Sequence, residues 1–321
     1  MRSESAALQW IVGILGRLDV PCQAVGGLAA RAYGADRPLW DLDLYVPTAQ
    51  LSNVAREAAP FVVRPPRHHL DDSWDLTFMQ LDHAGCRIEL GGADGASLRD
   101  HRSGTWQGAG IDFARSVPCL ILGTTVPTMP VDQLIAYKER LGREVDREDI
   151  AGIQAGGRRH VRLEEPGDRE AIHQIHLASF PGPDEAHLVD ALRAGGHLQV
   201  SLVAVAEDRI IGHVAFSPLR VDAASGGVGL APVAVLPEFR RRGIAAHLMR
   251  EGLAASARAG AGFVVVLGDP SYYSRFGFEP AARWGLVDEY GGGDAFQALE
   301  LRPGAMPEGP ALVRYAPEFA P

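Results

Sequence analysis

Alternating polar and apolar side chains predict a short strand in the first half of the chain. In the segment WDLDLYV, residues 40–46, Leu42 and Leu44 face one side and Asp41 and Asp43 face the other, because successive strand residues point to opposite sides of a sheet. The leucine side suits a protein core. The opposite side then carries two neighbouring carboxylates.

A predicted hairpin supplies a third acidic residue. Residues 75–82 and 86–90 both show strand-like alternation and are separated by the short turn sequence HAG. In the second of these strands the apolar residues share one face, while Arg87 and Glu89 share the polar face. We expect Glu89 to lie near the aspartate pair, with Asp75 as the competing candidate.

These acidic residues suggest a metal site. Adjacent carboxylates repel one another, so a protein that keeps them together usually binds a cation there. Mg²⁺ prefers carboxylate oxygens and is often shared with substrate phosphates, which makes Asp41, Asp43 and Glu89 candidate ligands. Upstream, Gly26 and Gly27 open a predicted helix, and such a glycine turn lets backbone N–H groups approach a phosphate closely.

A predicted helix over residues 132–142, with Asp132 as its N-cap, carries the only lysine of the chain. Leu134, Lys138 and Leu141 lie at positions i, i+4 and i+7, so the lysine falls on the apolar stripe. A lysine in that position extends its amine to solvent or enters a cleft to meet an anion. Every other basic residue is arginine, which indicates that arginine would not serve at this position.

The spacing of these features is similar to that of a known superfamily. A Gly-Gly pair, thirteen residues and then DLDL resemble the nucleotidyltransferases with the polymerase-β-type fold, in particular the lincosamide or aminoglycoside and AbiEii-type branches. The resemblance covers roughly residues 20–150 and implies an α+β domain that transfers a nucleoside monophosphate from an NTP. In that scheme the aspartate pair is catalytic and binds Mg²⁺ together with the third carboxylate, while the glycine pair and the lysine contact the NTP phosphates. The implied site residues are Asp41, Asp43, Glu89, Gly26, Gly27 and Lys138.

An apolar run followed by a basic glycine loop predicts a strand–loop–helix unit in the second half. Residues 233–236 read as a buried strand that Pro237 ends. Residues 240–243 then lead into a helix whose apolar positions begin at Ile244. The N–H groups of such a loop, backed by a helix N-terminus, form an anion cradle. The sequence GxxxxGK[ST] does not occur, so the loop is not a P-loop.

The pattern R-x-x-G-x-A after V-x-V-x-P is similar to the acetyl-CoA signature of the GNAT N-acetyltransferases. An apolar strand at residues 263–267 and the segment GDPSYYSRFGFEPA at 268–281 extend the resemblance. Over residues 161–319 the chain resembles the YhbS-like subgroup of this family. The resemblance implies a GNAT acyl-CoA N-acyltransferase fold with a mixed sheet.

The same resemblance implies the residues that bind and use acetyl-CoA. Val233 and Val235 would meet the pantetheine arm. Tyr273 lies four residues before a Gly-Phe pair, where many members of the family keep the general acid that protonates the departing thiolate. The residues implied for the pyrophosphate are Arg241, Arg242, Gly243, Ile244 and Ala245.

Other histidines and acidic residues leave alternatives open. The general base could be His213, Glu238 or an ordered water, although a histidine inside a predicted strand is typical of a buried structural residue. His68 and His69, followed by Asp71 and a second aspartate, fall in a Pro-rich segment without standard ligand spacing, and we interpret this segment as a solvated loop.

Composition narrows the class of protein. The chain has 321 residues, enough for two domains, and the Gly-rich stretch at 151–160 is the predicted linker. A formal charge of −9 argues against a non-specific nucleic-acid coat protein. Three cysteines form neither a disulfide framework nor a metal pair, which favours a reducing cytosol. No apolar run approaches a membrane span, so we expect a cytoplasmic protein without a membrane partner.

We therefore predict a two-domain α/β protein, with a nucleotidyltransferase-like domain over residues 1–155 and a GNAT domain over residues 161–321. The predicted activity is acetyl-CoA-dependent N-acetyl transfer, fused to an Mg²⁺- and NTP-dependent nucleotidyltransferase, on a small-molecule amine or hydroxyl acceptor. Two alternatives stay open. One is toxin-like modification of tRNA, against which the net charge counts, and the other is a first domain that only recognises substrate.

Overall fold

The computed structural model describes residues 3–221, 226–307 and 310–320. The chain divides into two compact units, Met1–His160 and Val161–Pro321. The predicted linker is partly helical, because the last helix of the first unit continues through Ala155 and the next strand begins at His160. Within the three described ranges, no helix is both long enough and apolar enough to cross a bilayer.

The first unit combines a mixed sheet with helices. Its helices are α1 Glu4–Arg17, α2 Gly26–Ala32, α3 Leu51–Glu57, α4 Val131–Leu141 and α5 Glu144–Ala155. Its strands are β1 Gln23–Ala24, β2 Asp41–Val46, β3 Val62–Leu70, β4 Trp74–His83, β5 Cys86–Gly92, β6 Ser97–Arg99, β7 Trp106–Gly108, β8 Val117–Ile121 and β9 Thr124–Thr128.

The predicted strand and hairpin form the middle of this sheet. Among the described residues the strand order is β7-β6-β4-β5-β2-β1-β9-β8, and β3 also pairs with β4. β2 runs parallel to β5, and β5 pairs antiparallel with β4, which confirms the predicted strand and hairpin. The leucines of β2 are buried in the core, together with Leu8, Ile11 and Leu15 of α1 at helical spacing. The polar face of β2 and β5 therefore lies opposite the core side.

The second unit has a sheet of its own. Its helices are α6 Arg169–Ser179, α7 Asp184–Ala194, α8 Ile244–Arg258 and α9 Pro270–Tyr273. Its strands are β10 His160–Leu163, β11 Val200–Ala206, β12 Arg209–Pro218, β13 Arg220–Val221, β14 Gly227–Val235, β15 Phe263–Leu267, β16 Glu279–Pro280, β17 Leu286–Asp288, β18 Phe296–Glu300 and β19 Ala311–Arg314.

The parallel pair of β14 and β15 makes this sheet mixed. Its order in the described part of the chain is β10-β11-β12-β14-β15-β18-β16, and β13, β19 and β17 form a smaller sheet. β14 and β15 run parallel but pair only where residues 227–229 face residues 263–265. Beyond Gly229 the two strands separate, while β14 stays paired with β12 as far as Val235. Within the described residues, the separation leaves the β15 side of the last β14 residues without a partner strand.

Candidate functional sites

Three carboxylates meet on the polar face of the first unit's sheet. Asp43 lies opposite Glu89 in the parallel β2–β5 pair, and Asp41 lies two residues earlier on the same face. One oxygen atom from each carboxylate lies within 4.8 Å of the others. Asp75 instead pairs with His68, whose Nε2 lies 2.7 Å from its Oδ1. The structure thus brings together the three residues predicted as ligands, which we call the acidic triad.

Burial and mutual repulsion disfavour the ionised form of the triad. Loss of solvation, followed by the charges of Asp41 and Glu89, raises the pKa of Asp43 to about 8. Burial and the charge of Asp41 also raise the pKa of Glu89. Clustered carboxylate oxygens that form no ion pair with a described side chain are suitable ligands for a hard divalent cation, so this donor set fits Mg²⁺ or Mn²⁺.

The triad opens into a cavity of about 410 Å³. Tyr45 continues the face of β2 that carries the aspartates, so the strand period could have predicted its position. The arginines of the cavity gave no local signal in the sequence. Aromatic and basic side chains of the lining include Trp40, Tyr45, Trp74, Arg37, Arg64 and Arg143.

The glycine pair has a steric role in this cavity. Gly26 has a left-handed φ of +59°, and a Cβ atom there would overlap the Oδ2 atom of Asp43. A Cβ atom on Gly27 would lie 2.5 Å from Nη2 of Arg37. The space beside Gly27 therefore holds a guanidinium group. The predicted contact of the glycine amides with a phosphate stays a prediction.

The structure also corrects the expectation for Lys138. Its helix begins at Val131 after Pro130, so Asp132 lies in the first turn and is not the N-cap. The Lys138 side chain is 1% exposed, and Nζ donates to Oδ2 of Asp149 at 2.7 Å and to Oδ1 of Asp146 at 3.3 Å. Among the described residues that line the cavity, Lys138 is absent. Because two buried carboxylates satisfy its amine, the geometry disfavours the predicted phosphate contact.

The histidine-rich segment is a strand and not a loop. β3 pairs antiparallel with β4, and shifts of register between Arg64 and Arg67 accommodate two prolines, which lack the N–H group of a regular ladder. His69 lines the cavity, and its Nε2 atom lies 2.9 Å from Oδ2 of Asp71. Proline content alone therefore misled the sequence prediction.

The second unit presents the predicted loop at the start of α8. Arg241 and Gly243 have left-handed φ values of +62° and +75°, and Gly243 is the N-cap of the helix. The basic loop residues are exposed, whereas Ile244 is buried and anchors the helix. Left-handed residues just before a helix N-terminus can turn several N–H groups toward one point. This geometry can bind an anion such as a pyrophosphate.

The end of β14 beside this loop is held by side chains. The carbonyl oxygen of Val235 accepts hydrogen bonds from Oγ of Ser179 and from Nε of Arg240, both at 3.2 Å. Val233 pairs with Val214 of β12 on one side and has no strand partner on the other within the described residues. Val233 is therefore better placed than Val235 to bind an extended ligand arm.

Tyr273 is packed in an aromatic cluster at the end of α9. Its ring is 8% exposed and lies edge-on to Tyr272 and Phe278, with centroids 5.1 and 5.7 Å away. A Cβ atom on Gly268 would overlap this ring. Burial raises the pKa of Tyr273 to about 12, so the phenol keeps its proton at neutral pH.

His213 belongs to a buried hydrogen-bonded chain. Ser201 donates to Glu164, so its oxygen accepts from Nε2 of His213 at 2.9 Å. Nδ1 of His213 then accepts from Nε2 of His176 at 2.8 Å. Both ring nitrogens of His213 are occupied, which supports its interpretation as a structural residue. Glu238 instead pairs with Arg209 on the surface at 2.9 Å.

The hydrogen-bonded series of His176 and His213 predicts that the second unit loses stability at acidic pH. Burial lowers the pKa of His176 to about 4 and the pKa of His213 well below its ordinary value. The unfolded chain therefore binds more protons below pH 6.5, and we expect His176 alone to cost roughly 3 kcal/mol of unfolding free energy between about pH 6.5 and 4. Urea unfolding across this range should show the loss, and His176→Gln, which keeps a donor to His213, should reduce it. An unchanged pH slope in the variant would contradict the assignment.

Comparison with known proteins identifies the second unit. A family model described as "Acetyltransferase (GNAT) domain" matches residues 160–281. The uncharacterized N-acetyltransferase YhbS of Escherichia coli K12 is 41% identical over 162 residues, which span 50% of this chain and 97% of YhbS. The crystal structure of E. coli YhbS in complex with CoA shows 40% identity, covers 50% of this chain and 91% of that one, and has a TM-score of 0.49.

A further solved structure is a candidate nucleotidyltransferase from Thermotoga maritima, with 20% identity, a TM-score of 0.36 and coverage of 47% of this chain and 93% of that one. At this level of similarity it assigns no family to the first unit.

The YhbS match extends over nearly the whole relative and confirms the resemblance seen in the second half. Through its second unit, the chain belongs to the GNAT family of N-acetyltransferases.

Proposed function

We propose that the second unit transfers the acetyl group of acetyl-CoA directly to an amine of a small molecule. The observation that carries this proposal is the basic loop at the start of α8, with left-handed Arg241 and Gly243, next to the gap between β14 and β15. Loop amides hold the pyrophosphate of CoA, and the free edge of β14 at Val233 binds its pantetheine arm. The acceptor amine loses a proton to water and attacks the thioester carbonyl, the C–S bond breaks, and the departing thiolate takes a proton from an acid.

Tyr273 is the proposed acid, and its replacement provides a test. Tyr273→Phe keeps the buried ring and removes only the hydroxyl, so we expect kcat to fall about 100-fold or more while acetyl-CoA affinity stays unchanged. Thiol release measured with a panel of primary amines and aminoglycoside-like polyamines checks this. Tyr272→Phe, which changes the neighbouring phenol, is the matched control. Equal losses in the two variants would remove Tyr273 from the mechanism.

A second candidate function rests on the acidic triad. In the described structure Asp41, Asp43 and Glu89 have no pairing cation, and they open into a cavity with arginines on its wall. We propose that this site binds Mg²⁺ and an NTP and transfers the nucleoside monophosphate to a small hydroxyl or amine acceptor, with release of pyrophosphate. When bound, the metal supplies charge neutralisation at the transferred phosphoryl group. The three carboxylates hold it, and the cavity walls orient the polyphosphate and exclude water.

Calorimetric titration with ATP and GTP, with and without Mg²⁺, tests the second function. We expect Mg²⁺-dependent binding that disappears in the Asp41→Asn/Asp43→Asn double variant, with acetyl-CoA binding as the internal control. Acetyl-CoA binding without any NTP binding would leave the first unit as a recognition module. Retention of the protein on tRNA at moderate salt would instead favour the tRNA-directed alternative.

A further inference from the structure

Three arginines line the cavity of the acidic triad, and two of them, Arg37 and Arg143, are held by aspartates outside the triad. Arg37 donates through Nε and Nη2 to both oxygens of Asp149, at 2.6 and 3.0 Å. Arg143 donates in the same forked manner to Asp146, at 2.7 and 3.1 Å. Among the described residues, neither arginine forms an ion pair with a triad carboxylate. The guanidinium groups are thus held in place by aspartates that lie outside the cavity lining.

Lys138 joins the two arginine–aspartate pairs into one network. Its amine lies between Asp146 and Asp149, and the side chains of both aspartates are 0% exposed. Two buried carboxylates this close would repel each other without the lysine. Lys138 therefore stabilises the pair of aspartates that fixes the arginines, although it does not itself reach the cavity.

The fixed arginines keep donors for a ligand. Arg37 uses one hydrogen each on Nε, Nη1 and Nη2 for Asp149 and the carbonyl of Pro38, which leaves two of its five N–H donors. The Cζ atom of Arg143 lies 4.7 Å from the ring centre of Trp74, so its orientation is set from a second direction. A guanidinium group in a fixed position can donate two parallel hydrogen bonds to the oxygens of a phosphate.

We propose that Arg37 and Arg143 are the polyphosphate ligands of this cavity, and that the Lys138–Asp146–Asp149 network positions them while preventing them from pairing with the acidic triad. This inference rests on the second proposed function, because it names residues that bind the NTP phosphates there. In this proposal the carboxylates of the triad bind the metal, and the two arginines bind the polyphosphate.

The test compares two ligands on single variants of the full chain. Mn²⁺ reports on the triad, and tripolyphosphate in the presence of Mg²⁺ reports on the arginines. We expect Arg37→Gln and Arg143→Gln each to lower tripolyphosphate affinity at least 10-fold while Mn²⁺ affinity changes less than 3-fold. Arg147→Gln replaces an exposed arginine of α5 outside the cavity lining and is the matched control. Arginine variants that bind tripolyphosphate as well as this control would overturn the inference.

A second experiment tests the positioning role. Asp149→Asn should free Arg37 to pair with the triad, so Mn²⁺ affinity should fall about 10-fold. The double variant Asp149→Asn/Arg37→Gln should recover Mn²⁺ binding without recovering tripolyphosphate binding. A merely structural aspartate would give no such recovery, and that result would overturn the positioning role. Wild-type protein that binds no Mn²⁺ would overturn the second proposed function itself, whereas Mn²⁺ binding with unaffected arginine variants would overturn only this inference.

Discussion

Asp43→Asn is expected to stabilise the metal-free first unit at pH 8 and to abolish its divalent-cation binding. Burial and the charges of Asp41 and Glu89 outweigh the opposing charges of Lys138 and Arg143, so the pKa of the Asp43 carboxyl is raised to about 8. The amide keeps the shape of the side chain and removes the repulsion. Because the side chain is only partly buried, solvent screening reduces the gain in unfolding free energy to roughly 2 kcal/mol.

The pH dependence of this effect has a defined sign. A carboxyl group whose pKa is higher in the folded state than in the unfolded state holds its proton longer when folded. The metal-free wild-type unit therefore loses stability as pH rises from about 4 to about 8, the range between the ordinary and raised pKa of Asp43. Denaturant unfolding at several pH values should show this fall, and Mn²⁺ should reverse it. The fall should be smaller in Asp43→Asn.

An exposed aspartate provides the control for this prediction. Asp72 lies between β3 and β4 and does not line the cavity. Asp72→Asn removes the same charge from the protein without relieving the triad, so its stability and Mn²⁺ affinity should match wild type. If Asp43→Asn destabilises the metal-free protein, the predicted repulsion is wrong. If it leaves Mn²⁺ binding intact, the triad is not a metal site.

Short-range patterns predicted the parts of both units that depend on local geometry. The two-residue period of β2 fixes which face carries Asp41 and Asp43, and the same period in β5 places Glu89 beside them. In the second unit the apolar run at 263–267 forms β15, and the helix after the basic loop starts at Ile244. In these segments, side-chain alternation, a glycine turn and burial all favour the same structure.

Contacts between distant segments could not be predicted in this way. Arg37 meets Asp149 across 112 residues, and no spacing rule connects the two positions. Lys138 was correctly placed on a buried stripe, but its partners lie on α5, which the helix pattern of α4 does not specify. His176 and His213 meet only because α6 packs on β12. Tertiary packing decides such partners, and a single sequence does not encode them in its periodicity.

Gly243→Val is expected to remove acetyl-CoA binding from the second unit. Gly243 has a φ of +75° at the N-cap of α8, a conformation that a β-branched residue adopts only with strain. Valine would rotate the loop backbone toward negative φ and turn the amides after Arg241 away from the pyrophosphate. Loss of several charge-assisted N–H contacts should lower acetyl-CoA affinity at least 100-fold, or about 2.7 kcal/mol.

A valine variant of Gly260, just beyond the other end of α8, is the control that distinguishes loss of acetyl-CoA binding from general backbone strain. Gly260 has a φ of +95°, and a Cβ atom there would meet no atom within 4 Å. Gly260→Val therefore introduces comparable backbone strain away from the loop, and it should lower the unfolding temperature while acetyl-CoA affinity stays near the wild-type value. Calorimetric titration of both variants distinguishes the two effects. Equal acetyl-CoA affinities in the two proteins would place the CoA pyrophosphate somewhere other than the loop at 241–245.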